Sequence, residues 1–171
     1  MISIRALKMS DKQSLAKLVN NKKIWDNLRN GLPYPYHESD AVKFINTVCA
    51  NELNHVFAIE YRHGFCGVIG IFVQQDVYEK SAEIGYWIGE PFWGKGIATK
   101  AVELVTKYAF DKLKLVRIFT GIFEYNTASM RVLEKNGYKK EAIFEKAVFK
   151  NGKIWNEHRY CKLNNSNLDE L

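Results

Sequence analysis

The chain has little of what would tie it to a membrane, a metal or an oxidising compartment. No apolar run in its 171 residues approaches the roughly 18–20 residues of a membrane-spanning helix. Met1 to Ala6 enters a strand-like alternation directly, without the apolar segment of a secretory signal, so a cytoplasmic protein is expected. Cysteine is scarce: Cys49, Cys66 and Cys161 are odd in number, far apart and outside any metal-ligand spacing. They read as buried thiols of a reducing compartment, and no metal is implied. Recognition-helix, zinc and stacking motifs are missing, which argues against a nucleic-acid partner. Repeats, low-complexity stretches and linkers are missing too. The length suits one domain with a real core and is short for two. The expectation is a single domain over residues 1–163 with a polar tail at 164–171.

What is present is uneven. Residues 1–92 hold ten basic and ten acidic side chains, and residues 151–171 hold three of each. The whole excess of +6 lies in residues 93–150, with twelve basic against six acidic groups. A basic segment suits an anionic ligand, although part of it is an ordinary solvated lysine face.

The hydrophobic pattern alternates helices and strands. Ile2, Ile4 and Ala6 mark a first strand. Ser10 or Asp11 is placed to cap a helix running to about Val19, and Ser39 to cap a second with Ala41, Val42, Ile45 and Val48 as its stripe. Between them, Asn27 to Tyr36 is a loop broken by Gly31, Pro33 and Pro35. His55–Glu60 and Phe65–Val73 read as a hairpin around Arg62-His63-Gly64, and residues 82–89 as the next strand. A helix from Ile97 to about Lys112, a strand over 116–123 and a short helix over 127–135 follow. Tyr138–Phe149 and Lys153–Leu163 form a closing hairpin around Asn151-Gly152. This is an α+β pattern: a mixed, mostly antiparallel sheet of six to seven strands covered by helices.

The segment SAEIGYWIGEPFWGKGIATKA, residues 81–101, carries the strongest functional signal. A strand runs into the turn Trp93-Gly94-Lys95-Gly96-Ile97-Ala98, which opens a helix. The first helical N–H groups lack intrahelical acceptors and the helix dipole adds positive potential, so an anion is favoured there. Gly94 and Gly96 would let backbone approach a phosphate with no Cβ between. A nucleotide-hydrolysing loop requires Ser or Thr after Lys95, and Gly96 stands there. A dinucleotide fingerprint requires Gly or Ala where Thr99 stands.

Two motifs in order carry a resemblance. Gly96 and Ala98 fit the pyrophosphate loop of the GNAT acetyltransferases, with Trp93 in place of its first Gln or Arg. Trp93-Gly94-x-Gly96 and the preceding Glu83-Ile84-Gly85-Tyr86-Trp87 resemble the RimJ/RimL-like branch, the ribosomal-protein N-terminal acetyltransferases. Asn126-x-x-Ser129 with Leu133-Glu134-Lys135-Asn136-Gly137-Tyr138 resembles that branch's second motif. The resemblance implies the GNAT fold, helices on both faces of the sheet, and a splayed central strand pair at 82–89 and 116–123. It also implies acetyl-CoA as co-substrate, whose three phosphates suit the basic segment. Trp93, Gly94, Lys95, Gly96, Ile97, Ala98 and Thr99 would then hold phosphates, Asn126 the pantetheine amide, and backbone N–H groups near Trp87 and Ile88 the oxyanion. Ser129 would protonate the leaving thiolate, because the tyrosine many members carry is Leu133 here.

For the base, Glu83 is the outstanding carboxylate: a charge inside an apolar strand, on the same face as Gly85 and Trp87 by alternation. Tyr34, Tyr36 and His37, with Trp25 and Trp155, are candidates to shape an acceptor cleft. Each has a plain structural alternative. Asn126 can cap a helix, Ser129 can bond backbone, and Glu83 can be an ion-paired strand residue. The acceptor is expected to be a primary amine, a protein N-terminus or a small molecule such as a polyamine or aminoglycoside. A non-catalytic acyl-CoA-binding module is the rival from another class. A monomer or a homodimer fits the sequence equally.

Overall fold

The computed structural model describes residues 1–50 and 54–166. Seven strands form one sheet: β1 (Ile2–Ala6), β2 (Asn54–Tyr61), β3 (Gly64–Val73), β4 (Ser81–Ile88), β5 (Arg117–Phe123), β6 (Lys139–Lys150) and β7 (Lys153–Leu163). Their order is β1-β2-β3-β4-β5-β7-β6. The helices are α1 (Lys12–Val19), α2 (Lys22–Trp25), α3 (Glu38–Ala50), α4 (Ile97–Asp111) and α5 (Thr127–Lys135). None of the described helices is long and apolar enough to cross a membrane.

The chain divides into two compact units, Met1–Gly70 with Tyr86–Ala101, and Ile71–Gly85 with Val102–Leu171. In the first, β1 and β2 pair antiparallel from Ile2↔Tyr61 to Ala6↔Phe57. Leu15, Val19, Ile24, Ala41, Ile45 and Ala58 are its buried centre. Of the stripe expected on α3, Ala41 and Ile45 are fully buried and Val48 packs at the margin, while Val42 is half-buried and Phe44 takes a place on the cluster instead. In the second unit β5 pairs with β7, and β7 with β6, both antiparallel. Its buried side chains alternate along β5 as Ile118, Thr120 and Ile122, with Val102, Val105, Ala109 and Leu133 from α4 and α5.

Three expectations needed correction. Ser39 lies inside α3; the helix starts at Glu38, and the His37 N–H donates to Asp40 Oδ2 at 2.9 Å in the first turn. At α1, Asp11 stands at the N-cap but turns its carboxylate backward, accepting from Lys8 N–H and, on both oxygens, from Arg5. The cysteines are not all buried: Cys66 is, Cys161 is half-buried, and Cys49 is exposed near the end of α3, past the Ala41–Ile45 contact. The short α2 and three single 3-10 turns had no clear sequence signal.

The two hairpins reach one turn geometry by different chemistry. Asn151 and Gly152 adopt φ of 54° and 73°, as a tight two-residue turn requires. Arg62 and His63 adopt 52° and 67° without glycine, and Gly64, the expected turn residue, opens β3 instead.

Candidate functional site

In the first unit β4 delivers the chain to the glycine loop. Gly89 leaves the strand with its N–H on the Cys66 carbonyl at 2.9 Å. A Cβ on Gly89 would meet Leu18 at 2.9 Å, so α1 packs against this exit. Residues 90–92 form a 3-10 turn opened by Glu90, whose carboxylate accepts from Asn21 Nδ2 at 2.6 Å and from Lys23 Nζ. Those bonds hold the Glu90 carboxyl below its usual range. Trp93 donates its Nε1–H to the Ile88 carbonyl at 2.7 Å, folding the loop back on the strand end. Lys95 donates to the Pro91 carbonyl at 2.8 Å and lies 5.6 Å from the Phe92 ring centre.

Gly94 and Gly96 have φ of 73° and 71°, the left-handed region, and a Cβ at either would meet no protein atom within 4 Å. The turn therefore needs glycine for its backbone conformation, while the volume beside it stays open. The Gly96 carbonyl accepts from Lys100 N–H at 3.1 Å, which makes Gly96 the residue before the first helical turn of α4. It has no side chain to cap the N–H groups of Ile97 and Ala98. This cradle fits a phosphate group.

The acceptor candidates of the first unit differ from one another. Tyr34 is exposed and tilts against Trp25, ring centres 5.6 Å apart. Tyr36 is only 4% exposed and belongs to the core cluster; burial and the nearby Asp40 push its hydroxyl up to about 12. His37 is exposed at the start of α3. Trp87 is half-buried against Phe65, ring centres 6.2 Å apart, and Ile88 is buried. A Cβ on Gly67 would lie 2.3 Å from the Trp87 carbonyl oxygen, so β3 is pressed tightly on this part of β4.

The second unit holds Glu83, Asn126 and Ser129. Glu83 is half-buried on β4. The parallel register of β4 with β5 pairs Ser81, Ala82 and Glu83 with Arg117, Ile118 and Phe119; among the described residues it goes no further. Ile84 and Gly85 thus part from Thr120 and Gly121, the start of the expected splay. Past β5, Asn126 caps α5: its Oδ1 accepts from Ser129 N–H at 3.2 Å. The capping role is real and uses Oδ1, leaving the Nδ2 donors as the end that can meet an amide carbonyl. Ser129 is half-buried in the first turn.

Sequence reasoning missed what fixes this turn. Asn156 on β7 donates its N–H and Nδ2–H to the two carboxylate oxygens of Glu124, at 2.9 and 3.1 Å. Its carbonyl accepts from Glu124 N–H at 3.1 Å, and its Oδ1 accepts from Lys146 N–H at 2.9 Å. The last bond closes the irregularity in β6 between Phe144 and Val148, where Lys146 has φ 55°. Tyr125 stacks edge-on against Trp155, ring centres 4.8 Å apart. Trp155, a candidate for the acceptor cleft, thus packs against the segment that leads to Asn126. At the far end of α5, Gly137 at φ 77° lets the Gly137 and Tyr138 N–H groups bond the Glu134 and Leu133 carbonyls, and buried Tyr138 shares a 2.7 Å hydrogen bond with Thr106. Burial pushes the Cys66 thiol up to about 11 and raises Cys161 as well, so neither is primed as a nucleophile.

Residues 2–139 match the Acetyltransferase (GNAT) domain family. The chain belongs to that family and is an N-acetyltransferase. It is 31% identical over 158 residues to the putative ribosomal N-acetyltransferase YdaF of Bacillus subtilis, covering 88% of this chain and 85% of that one. It is 48% identical over 86 residues to the probable N-acetyltransferase YjcK of the same organism; that match spans 50% of this chain and 47% of YjcK. In fold it is similar to Mycobacterium smegmatis RimJ in complex with CoA-disulfide, TM-score 0.86 at 21% identity over 99% of this chain and 83% of the other. It is similar also to spermidine N-acetyltransferase from Vibrio cholerae in complex with CoA and spermine, TM-score 0.83 at 22% identity over 98% of each chain. At those identities the likeness is one of fold. The family confirms the expected GNAT architecture.

Proposed function

We propose that this chain transfers the acetyl group of acetyl-CoA directly to a primary amine in a ternary complex, and that the amine is a protein N-terminal α-amine. The observation that carries the reading is the pair of helix starts: an open glycine cradle at Gly94–Gly96 and an Asn126-capped turn presenting Ser129. The similarity to YdaF supports the protein-terminal acceptor.

Acetyl-CoA, when bound, supplies an activated thioester carbonyl. The loop Trp93–Thr99 meets its phosphates with backbone N–H groups and the α4 dipole. Asn126 Nδ2–H donates to an amide carbonyl of the pantetheine arm. Glu83 takes the proton of the acceptor amine, directly or through a water. Backbone N–H groups near Trp87 and Ile88 stabilise the developing oxyanion. The Ser129 hydroxyl gives its proton to the departing thiolate. Alignment alone supplies several kcal/mol of the rate enhancement.

The test is thiol release against free-N-terminus peptides, the same peptides blocked, polyamines and aminoglycosides. Turnover with free-N-terminus peptides alone supports the reading. Turnover with small amines alone overturns the protein acceptor, and coenzyme A binding with no turnover on any amine leaves the non-catalytic module. Ser129→Ala is expected to lower kcat at least about tenfold while coenzyme A affinity holds; unchanged kcat removes Ser129 from the reaction.

A further inference from the structure

The face of the second unit's sheet that bears Glu83 carries another carboxylate. Register places Glu83 opposite Phe119, Gly121 opposite Arg159 and Phe123 opposite Glu157. The Glu157 side chain leans back over β5. A Cβ on Gly121 would lie 2.3 Å from its Cδ and 2.5 Å from each carboxylate oxygen. Only glycine leaves room for that seat, which accounts for a glycine in the middle of an otherwise bulky strand. Arg159 Nη1 donates to Glu157 Oε1 at 2.9 Å. The guanidinium in turn lies over the rings of Phe119 and Phe144, 5.3 and 5.1 Å from their centres.

The carboxylate is therefore built into position, with 15% of the Glu157 side chain exposed. Arg159 takes Oε1, and Oε2 has no partner among the described residues. Its seat at Gly121 is two residues along β5 from Phe119, the partner of Glu83 and the last residue of β5 in register with β4. An oriented carboxylate with one oxygen left over, beside the stretch of β5 that has left β4, suits a cationic ligand.

We propose that Glu157 is an acceptor-specificity residue: its Oε2 receives the ammonium form of the acceptor amine, and Arg159 fixes its orientation. This rests on the acetyltransferase reading above. It divides the work of two carboxylates on one sheet face, Glu157 collecting the cation and Glu83 taking the proton.

The experiment is steady-state kinetics of Glu157→Gln, which keeps the shape and removes the charge, beside coenzyme A affinity and Tm. The expected result is a KM for the amine raised about tenfold or more, with kcat, coenzyme A affinity and Tm near wild type. Arg159→Met is expected to give a smaller rise of the same kind. An unchanged KM overturns the proposal, as does a KM change that tracks a fall in Tm or coenzyme A affinity, the mark of a purely structural pair. A wild type that binds coenzyme A yet acetylates no primary amine overturns the acetyltransferase mechanism first and this proposal with it. A wild type that turns over with Glu157→Gln indistinguishable from it overturns this proposal alone.

Discussion

The starts of α4 and α5 are built from opposite materials. At α4 the residue before the helix is Gly96, with left-handed φ and open space beside it. At α5 it is Asn126, whose Oδ1 accepts from the Ser129 N–H. One start has no side chain at its cap position, so its N–H groups and dipole are suited to an anion from outside the protein. The other is capped internally, and the cap fixes the turn that carries Ser129. The same backbone end is left uncapped or capped according to one side chain. A third start, at α1, differs again: Asp11 stands there but its carboxylate caps nothing in the helix, turning back to accept from Lys8 N–H and from Nη1 and Nη2 of Arg5, whose Nε donates to Glu60.

The largest expected effect removes that backward-facing carboxylate. Asp11→Ala leaves Arg5 with Glu60 as its one carboxylate, beside the Ala6 carbonyl, and is expected to cost about 3 kcal/mol by denaturant unfolding, with coenzyme A affinity unchanged in the folded fraction. Its pH dependence has a defined sign. Burial pushes the Asp11 carboxyl up, but the Arg5 and Lys8 hydrogen bonds outweigh it and leave the group below 3.8. Stability from Asp11 is therefore full above about pH 4 and is lost as pH falls through the depressed folded value. A wild-type stability curve that matches Asp11→Ala across this acid range would refute the assignment.

Gly96→Val tests the open start. A β-branched residue is strained at φ 71°, and its methyls fill the cradle, so coenzyme A affinity is expected to fall at least about tenfold by titration calorimetry. Gly152→Val is the control, with φ 73° and equally open surroundings in a remote hairpin turn. It should cost similar stability and leave affinity alone. Equal loss in both variants would mean that the phosphates lie elsewhere.

Asn126 separates cap from ligand contact. Asn126→Ala is expected to lose about 1 kcal/mol of stability along with affinity. Asn126→Asp keeps the capping oxygen and loses the Nδ2 donors, so stability should hold while coenzyme A binding weakens a few-fold. If both variants bind coenzyme A as the wild type does, Asn126 is a cap and nothing more.

Much of the site could be read from the chain because its signals are local. Gly94 and Gly96, the Asn126–Ser129 spacing and the Asn151-Gly152 turn each describe a backbone conformation within a few residues. The bounds of α5 and the start of α4 agree with the periodicity for the same reason. The missed residues act across strands. Glu124 and Asn156 are 32 positions apart, and nothing near either announces the other. Gly121 alone carried a hint, a glycine inside a strand, but what presses on it comes from β7. Tyr36 shows the converse: a loop aromatic expected to shape an acceptor cleft is buried in the core cluster of the first unit.

The sequence by itself determined the start of α4, the bounds of α5, the left-handed Asn151-Gly152 turn, and the order of the two motifs that mark an acetyltransferase. These depend on torsional preference and periodicity, which neighbours along the chain settle. The tertiary structure alone decided that Asp11 would face Arg5, that Asn156 would bind the turn before Asn126, and that Glu157 would rest over Gly121. The last two outcomes depend on strand register, which is chosen by the packing of whole sheet faces, to which no short stretch of sequence has access; Asp11 and Arg5 are only six positions apart, and their meeting depends on how the chain turns between β1 and α1.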